Sequence, residues 1–170
     1  MKKADMILYT SNTGYTRQYA MLLAEKTGLA VYTPEEAGDR LTKESRVIYM
    51  GWPMAGKVQG YEKTARRCRV EAVCAVGMGA TGSQLEDVRK GNALPETLPV
   101  FTLQGGFDLS RLKGIYRLMM TVMAKTLGKK LAEKEDPTPE EKDMLDLLLN
   151  GGSRVSERNL QAVLDWYREE

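Results

Sequence analysis

Three hydroxyl side chains, Ser11, Thr13 and Thr16, surround a glycine in the segment Ser11-Asn12-Thr13-Gly14-Tyr15-Thr16. Hydroxyls at this spacing, with backbone N–H groups of the same turn pointing inward, suit the oxygens of a phosphate. Gly14 lets the backbone close tightly around such a group. No lysine follows the glycine, which disfavours a nucleoside triphosphate on Mg²⁺, and the GxGxxG pattern of a dinucleotide pyrophosphate is absent. What remains is a single phosphate monoester held mostly by neutral donors. The competing reading is an ordinary turn in which a threonine caps the next helix.

The flanking sequence places this segment. Met6-Ile7-Leu8-Tyr9 is a short apolar run that predicts a buried strand, and Arg17 to Thr27 predicts a helix stopped by Gly28. The hydroxyl-rich turn therefore falls at a strand's carboxyl end, where open α/β sheets bind phosphates. Two further loops follow strand-like runs. Gly51-Trp52-Pro53-Met54-Ala55-Gly56 comes after Arg46 to Met50, and Gly79-Ala80-Thr81-Gly82-Ser83 after Ala72 to Met78. Trp52 and Met54 are suited to wall a large flat ring, which needs an apolar or aromatic surface. Alternatively Trp52 anchors the loop from beneath, and Ser83 merely caps the helix predicted over Gln84 to Lys90.

With Ala30 to Thr33 and Pro99 to Leu103, five strand-like runs alternate with helical ones, which argues for a parallel sheet covered by helices on both faces. The loops after the first, third and fourth strands would then meet at the switch point of the sheet. The pattern Ser-x-Thr-Gly-x-Thr after a first strand resembles the FMN-phosphate loop of flavodoxins, with Asn12 and Tyr15 at its free positions. That resemblance implies an α/β, doubly wound, five-stranded parallel sheet of order 2-1-3-4-5 and bound FMN as cofactor. It implies cofactor contacts at Ser11, Asn12, Thr13, Gly14, Tyr15 and Thr16, at Trp52, Pro53, Met54, Ala55 and Gly56, and at Gly79, Ala80 and Thr81. Gly51 and Gly56 would permit a peptide flip near flavin N5, as the family does. The third loop lacks the aromatic residue that many flavodoxins carry, which implies a more open flavin face.

Beyond the fifth strand the chain departs from a short flavodoxin. Residues 104–152 predict an added helical segment within a single domain. Ile115, Leu118, Met119, Val122, Met123, Thr126 and Leu127 recur at helical spacing, and the simplest expectation is that they are core. Thr138-Pro139-Glu140-Glu141 predicts a capping box with proline at the first helical position. Ser156 predicts the cap of a last helix whose apolar face is Leu160, Val163, Leu164 and Tyr167. Gly106, Arg117 and Met119 resemble the stretch after the last strand in the menaquinone-dependent protoporphyrinogen oxidase branch of the flavodoxin superfamily, although that branch's long insertion between the fourth and fifth strands is missing.

The 170-residue chain contains no histidine. That removes the commonest general base and metal ligand, so chemistry would fall to a bound cofactor. Its 25 basic and 23 acidic side chains leave a net charge of +2, which gives nucleic-acid binding no global support. Cys68 and Cys74 have neither a CxxC nor a zinc spacing and are expected as free thiols. No apolar run approaches the roughly 20 residues of a membrane helix, and the expected compartment is the cytoplasm. Three roles follow: an FMN-dependent oxidoreductase acting on a small molecule or quinone, an electron carrier to a redox partner protein, or a flavin-free interaction module. Lys113, Arg117, Lys125 and Lys129, four or eight residues apart, are expected to line one side of a helix, either as solvated surface or as a docking face for an anionic membrane, held weakly and peripherally, or, as the resemblance implies, for a carboxylate-bearing substrate such as a porphyrin.

Overall fold

The structure is a computed structural model and describes residues 3–169. Five parallel strands form its centre: β1 (Met6–Tyr9), β2 (Ala30–Tyr32), β3 (Arg46–Gly51), β6 (Arg69–Gly77) and β7 (Val100–Gln104). Between β3 and β6 lies a two-residue hairpin, β4 (Pro53–Met54) and β5 (Lys57–Val58). The sheet order is β2-β1-β3-β6-β7. Counted over the strands of this sheet alone, that is 2-1-3-4-5, the flavodoxin-like doubly wound order.

Alternate residues of the central strands enter different cores, as the period of two requires. Ile7, Ile48, Met50 and Cys74 point to one face, where α1 (Tyr15–Thr27) and α7 (Gln161–Arg168) supply Tyr19, Leu23, Val163 and Leu164. Leu8, Val47, Tyr49, Val73 and Ala75 point to the other, against Ala37 of α2 (Pro34–Ala37) and Val88 of α4 (Leu85–Gly91). Both faces are covered, which explains why these strands read as continuous apolar runs. Cys68 and Cys74 are buried free thiols.

Several boundaries follow the expected local chemistry. Gly28 ends α1 in the left-handed region at φ 70°, its N–H donating to the Ala24 carbonyl. The Thr138/Glu141 capping box and Pro139 open α6 (Pro139–Asn150), and Ser156 accepts from the Asn159 N–H ahead of α7. The polar stretch from Val58 to Arg69, whose composition predicts a helix, is helical only over α3 (Tyr61–Ala65). The hairpin takes Lys57–Val58, and Arg69 already belongs to β6.

The added segment leaves the sheet through β8 (Gly106–Phe107) and returns through β9 (Gly152–Ser153), which pair antiparallel and tie its two ends together. Between them, α5 (Gly114–Ala132) packs on α6 around Phe107, Leu131, Leu147 and Leu148. The apolar stripe of α5 is not the core expected for it. Met120, Met123, Ala124 and Leu127 pack against α6, but Ile115, Leu118, Met119 and Val122 are exposed, at 67%, 65%, 49% and 57%. The helix is apolar almost all round in its first half, so sequence spacing could not choose which face would be covered. The basic residues Lys113, Arg117, Lys125 and Lys129 are all exposed and share only a broad side of the helix. At about 100° per residue each step of four drifts roughly 40°, so Lys113, Arg117, Lys125 and Lys129 spread over about 160° of arc.

Gly60 shows how tightly the site's supports pack. Its φ is +81°, and a Cβ there would lie 2.2 Å from Tyr49 Oη and 2.7 Å from Thr10 Oγ1. Gly28, at φ +70°, has open space around it. Gly28→Ala is therefore expected to cost about 1–2 kcal/mol of backbone strain alone. Gly60→Ala adds the loss of a buried hydrogen bond and is expected to cost about 1 kcal/mol more. Urea unfolding of the two variants checks this; equal midpoints would contradict the close packing.

Candidate functional site

All five strands of the sheet are parallel, so the loops after β1, β3 and β6 emerge along one edge, on either side of the β1/β3 switch point. A buried phenol ties the first two loops together. Tyr49 Oη lies 2.8 Å from Thr10 Oγ1, at the foot of the hydroxyl-rich turn, and donates to the Gln59 carbonyl at 2.7 Å. Burial pushes the phenol's pKa up to about 12, against partial relief from Thr10 and Thr64. The Thr64 hydroxyl stands near enough to influence it, yet is itself buried without a hydrogen bond of sound geometry. Sequence reading missed this tie because a tyrosine inside an apolar strand looks like any other core aromatic.

The hydroxyl-rich turn is not a threonine-capped helix start. Gly14 occupies the N-cap position at φ 96°, and no side chain caps α1. Ser11 Oγ accepts from the Gly14 N–H at 3.1 Å and so closes the turn. Gln18 makes the first intrahelical bond, to the Gly14 carbonyl. The N–H groups of the first turn, Tyr15, Thr16 and Arg17, are therefore left without helical partners. Thr16 is only 2% exposed, yet its hydroxyl has no hydrogen-bond partner among the described residues, and neither has that of Thr13. A nearly buried, unpartnered hydroxyl beside the positive end of a 13-residue helix suits an anion. Asn12 is exposed at the tip of the turn.

Tyr15 offers only its backbone. Its ring packs against Gly106, where an added Cβ would lie 2.7 Å from Cζ, its own Cβ would stand 3.0 Å from a Cβ at Gly105, and its hydroxyl donates to the Gly152 carbonyl at 3.1 Å. Arg111, which sequence reading did not single out, braces the turn from the added segment. Its Nη1 donates to the Thr13 carbonyl at 2.9 Å, its guanidinium lies 5.8 Å from the Tyr15 ring centre, and its Nε pairs with Asp108 at 3.0 Å. No local pattern marks Arg111, because its partner is 98 residues away.

In the second loop, Trp52 is half-buried and meets Tyr116 of α5 edge to face, with ring centres 5.6 Å apart and planes at 86°. It is not an anchor buried beneath the loop. Pro53 and Met54 are half-buried, and Pro53 Cγ lies 3.2 Å from where a Gly77 Cβ would stand, so this loop touches the end of β6. Ala55 and Gly56 form the hairpin tip, with φ 50° and 78°. The tip is pinned to α4 by Asn92. Its Nδ2 donates to the Gly56 carbonyl at 2.8 Å, and its Oδ1 accepts from the Val58 N–H at 2.9 Å. Gly51 serves packing, since a Cβ there would lie 2.6 Å from Val58.

The third loop is tied to β7. Thr81 Oγ1 accepts from the Gln104 N–H at 3.0 Å, and the Gly82 N–H donates to the Thr102 carbonyl at 3.0 Å. Ser83 donates to the Ala80 carbonyl at 2.6 Å and does not cap α4, whose N-cap is Gln84. Gly79 and Ala80 are half-buried at the sheet edge.

A second polar cluster fixes the added segment to β7. Arg154 pairs with Asp143 and Asp146 of α6 at 2.8 and 2.6 Å, while its N–H donates to the Gly105 carbonyl at 2.7 Å. Gln104 Nε2 reaches Asp143 at 2.6 Å, and Tyr19 Oη donates to the Gln104 carbonyl at 2.5 Å. Of the residues that resemble the protoporphyrinogen oxidase branch, only Gly106 touches the hydroxyl-rich turn, through Tyr15. Gly106 lies in β8, and Arg117 and Met119 are exposed on α5. Among the described residues no group of His, Cys, Asp or Glu could hold a metal ion.

Protein-family models, curated proteins and solved structures yield no match to this chain.

Proposed function

We propose that the protein binds FMN at the β1/β3 crevice and acts as an FMN-dependent oxidoreductase on a small molecule or quinone. One observation carries the cofactor: the uncapped start of α1, where the nearly buried Thr16 hydroxyl has no partner among the described residues. A phosphate monoester there would accept hydrogen bonds from Thr13, Thr16 and the first-turn N–H groups, with Ser11 and Arg111 holding the turn in shape. Trp52 and Met54, with the backbone of Gly79 and Ala80, would border the ring. FMN, when bound, supplies the electron transfer; the chain, which has no histidine, needs only to hold it and limit its exposure to water.

The third loop offers no aromatic cover, which leaves one flavin face free for a small substrate. An electron carrier would need no such opening. The test is whether the purified protein is yellow and releases FMN on denaturation, and then whether it turns over a quinone faster than it reduces a cytochrome. A colourless protein that takes up no added FMN would end the cofactor reading. Trp52→Ala is expected to raise the emission of bound flavin, because stacked or edge-on tryptophan quenches it, and to shift the flavin potential. Unchanged emission and potential would place Trp52 away from the ring.

A further inference from the structure

We propose that the exposed face of α5 docks the protein on an anionic lipid bilayer, independently of any cofactor. Ile115, Leu118, Met119 and Val122 are each about half to two-thirds exposed. At about 100° per residue they fall within roughly 100° of arc, on the side away from the contacts with α6. Four large apolar side chains on one face of a soluble surface form a continuous patch, and such patches mark contact sites. Lys125, Lys129 and Lys130 border the same face over the next two turns, and all three are exposed.

Charge selects the occupant. The segment Gly114–Ala132 holds Arg117, Lys125, Lys129 and Lys130 and no acidic residue. Pairing this face with its copy would bring two such cationic helices together, so self-association is disfavoured. An anionic surface is favoured. The lysines also line a cleft of about 760 Å³ between the end of α5 and the start of α6. There Glu133 and Glu141 already pair with Lys129 and Lys134, at 3.8 and 2.6 Å, and Lys125 and Lys130 form no contact ion pair among the described residues. Those two ammonium groups are available to lipid phosphates. Exposed apolar side chains on one helix face with lysines beside them are the arrangement of an interfacial helix: the apolar groups enter the acyl boundary and the lysine stems reach out to the headgroups. Among the described residues no helix is long and apolar enough to cross a membrane, so the contact is with one leaflet.

The experiment is co-sedimentation with phosphatidylglycerol/phosphatidylcholine vesicles and with pure phosphatidylcholine vesicles, at low and high salt. The wild type should pellet with the anionic vesicles at low salt and be released at high salt, as the Debye length falls from about 10 Å at 0.1 M to about 3 Å at 1 M. Lys125→Gln/Lys129→Gln/Lys130→Gln should bind on the order of a hundredfold more weakly. Leu118→Ser/Val122→Ser, at exposed positions, should fold normally by circular dichroism yet also lose binding. Both native thiols are buried, so Met119→Cys can be labelled selectively with a polarity-sensitive fluorophore, whose emission should shift to the blue on anionic vesicles. Several outcomes overturn the proposal: no pelleting with anionic vesicles, an unshifted probe, or full binding by the serine variant. It is also overturned if the wild type is a dimer that the serine variant makes monomeric, or if it binds an acidic polypeptide but no vesicle.

Discussion

Thr16→Val is expected to leave the flavin-free protein as stable as the wild type, or more stable, and to weaken FMN binding by about 10- to 100-fold. The two effects have opposite signs because the same hydroxyl is involved. In the protein alone the residue is 2% exposed and its hydroxyl, which touches solvent only at its edge, has no partner among the described residues, so replacing it by a methyl removes a poorly solvated polar group without removing a protein hydrogen bond. With a phosphate at the start of α1 it would donate a charge-assisted hydrogen bond, worth about 1.5–3 kcal/mol. Thr13→Ala should weaken FMN similarly. Riboflavin, which lacks the phosphate, should bind the wild type far less well and respond little to either substitution. Urea unfolding of the apoprotein and flavin titrations followed by fluorescence give the two readouts. If riboflavin and FMN bind the wild type equally, the turn is not a phosphate site. If Thr16→Val destabilises the apoprotein by more than about 1 kcal/mol, its hydroxyl has a partner after all.

A second large effect is expected in alkali. Burial pushes the Cys74 thiol up from 9.0 to about 12 and the Tyr49 phenol up from 10.0 to about 12. Folded protein keeps both protons where the unfolded chain loses them. The unfolded state therefore gains by ionising as the pH passes 9 and then 10, and the folded state gains nothing until about 12. Stability is unaffected by these groups below pH 9 and falls between pH 9 and 12. At 1.36 kcal/mol per unit the loss approaches about 4 kcal/mol for Cys74 and about 3 kcal/mol for Tyr49. Urea midpoints from pH 8 to 11 should fall steeply, and Cys74→Ala, though less stable at pH 8, should show a flatter decline. Midpoints that stay constant to pH 11 would refute the burial argument, as would rapid reaction of both thiols with a disulfide reagent in the native protein.

The central sheet was legible because its strands are buried on both faces, and burial on both faces writes a continuous apolar run between turn residues. Gly28, the Thr138 capping box and Ser156 were legible for a similar reason: each solves a backbone problem within four residues of itself. The turn at Ser11–Thr16 could be placed at a strand's carboxyl end from its neighbours alone. Whether Thr13 capped the helix could not be read, since a capping threonine and a phosphate-binding one have the same sequence. The fold decided it by putting Gly14 at the cap.

Elements whose partners are local, or whose burial is complete, are thus written in the residues themselves. The remainder depends on contacts between distant parts of the chain. Arg111 meets Thr13 across 98 residues, and Asn159 meets Tyr19 across 140. Trp52 finds its aromatic neighbour on a helix that begins after the whole sheet is complete. The outcome for α5 follows the same logic. Its residues are apolar on two faces, its periodicity serves either, and only the docking of α6 on one of them leaves Ile115, Leu118, Met119 and Val122 facing outward. A spacing rule reports that a face is apolar; which apolar face is covered depends on what the rest of the chain brings to it.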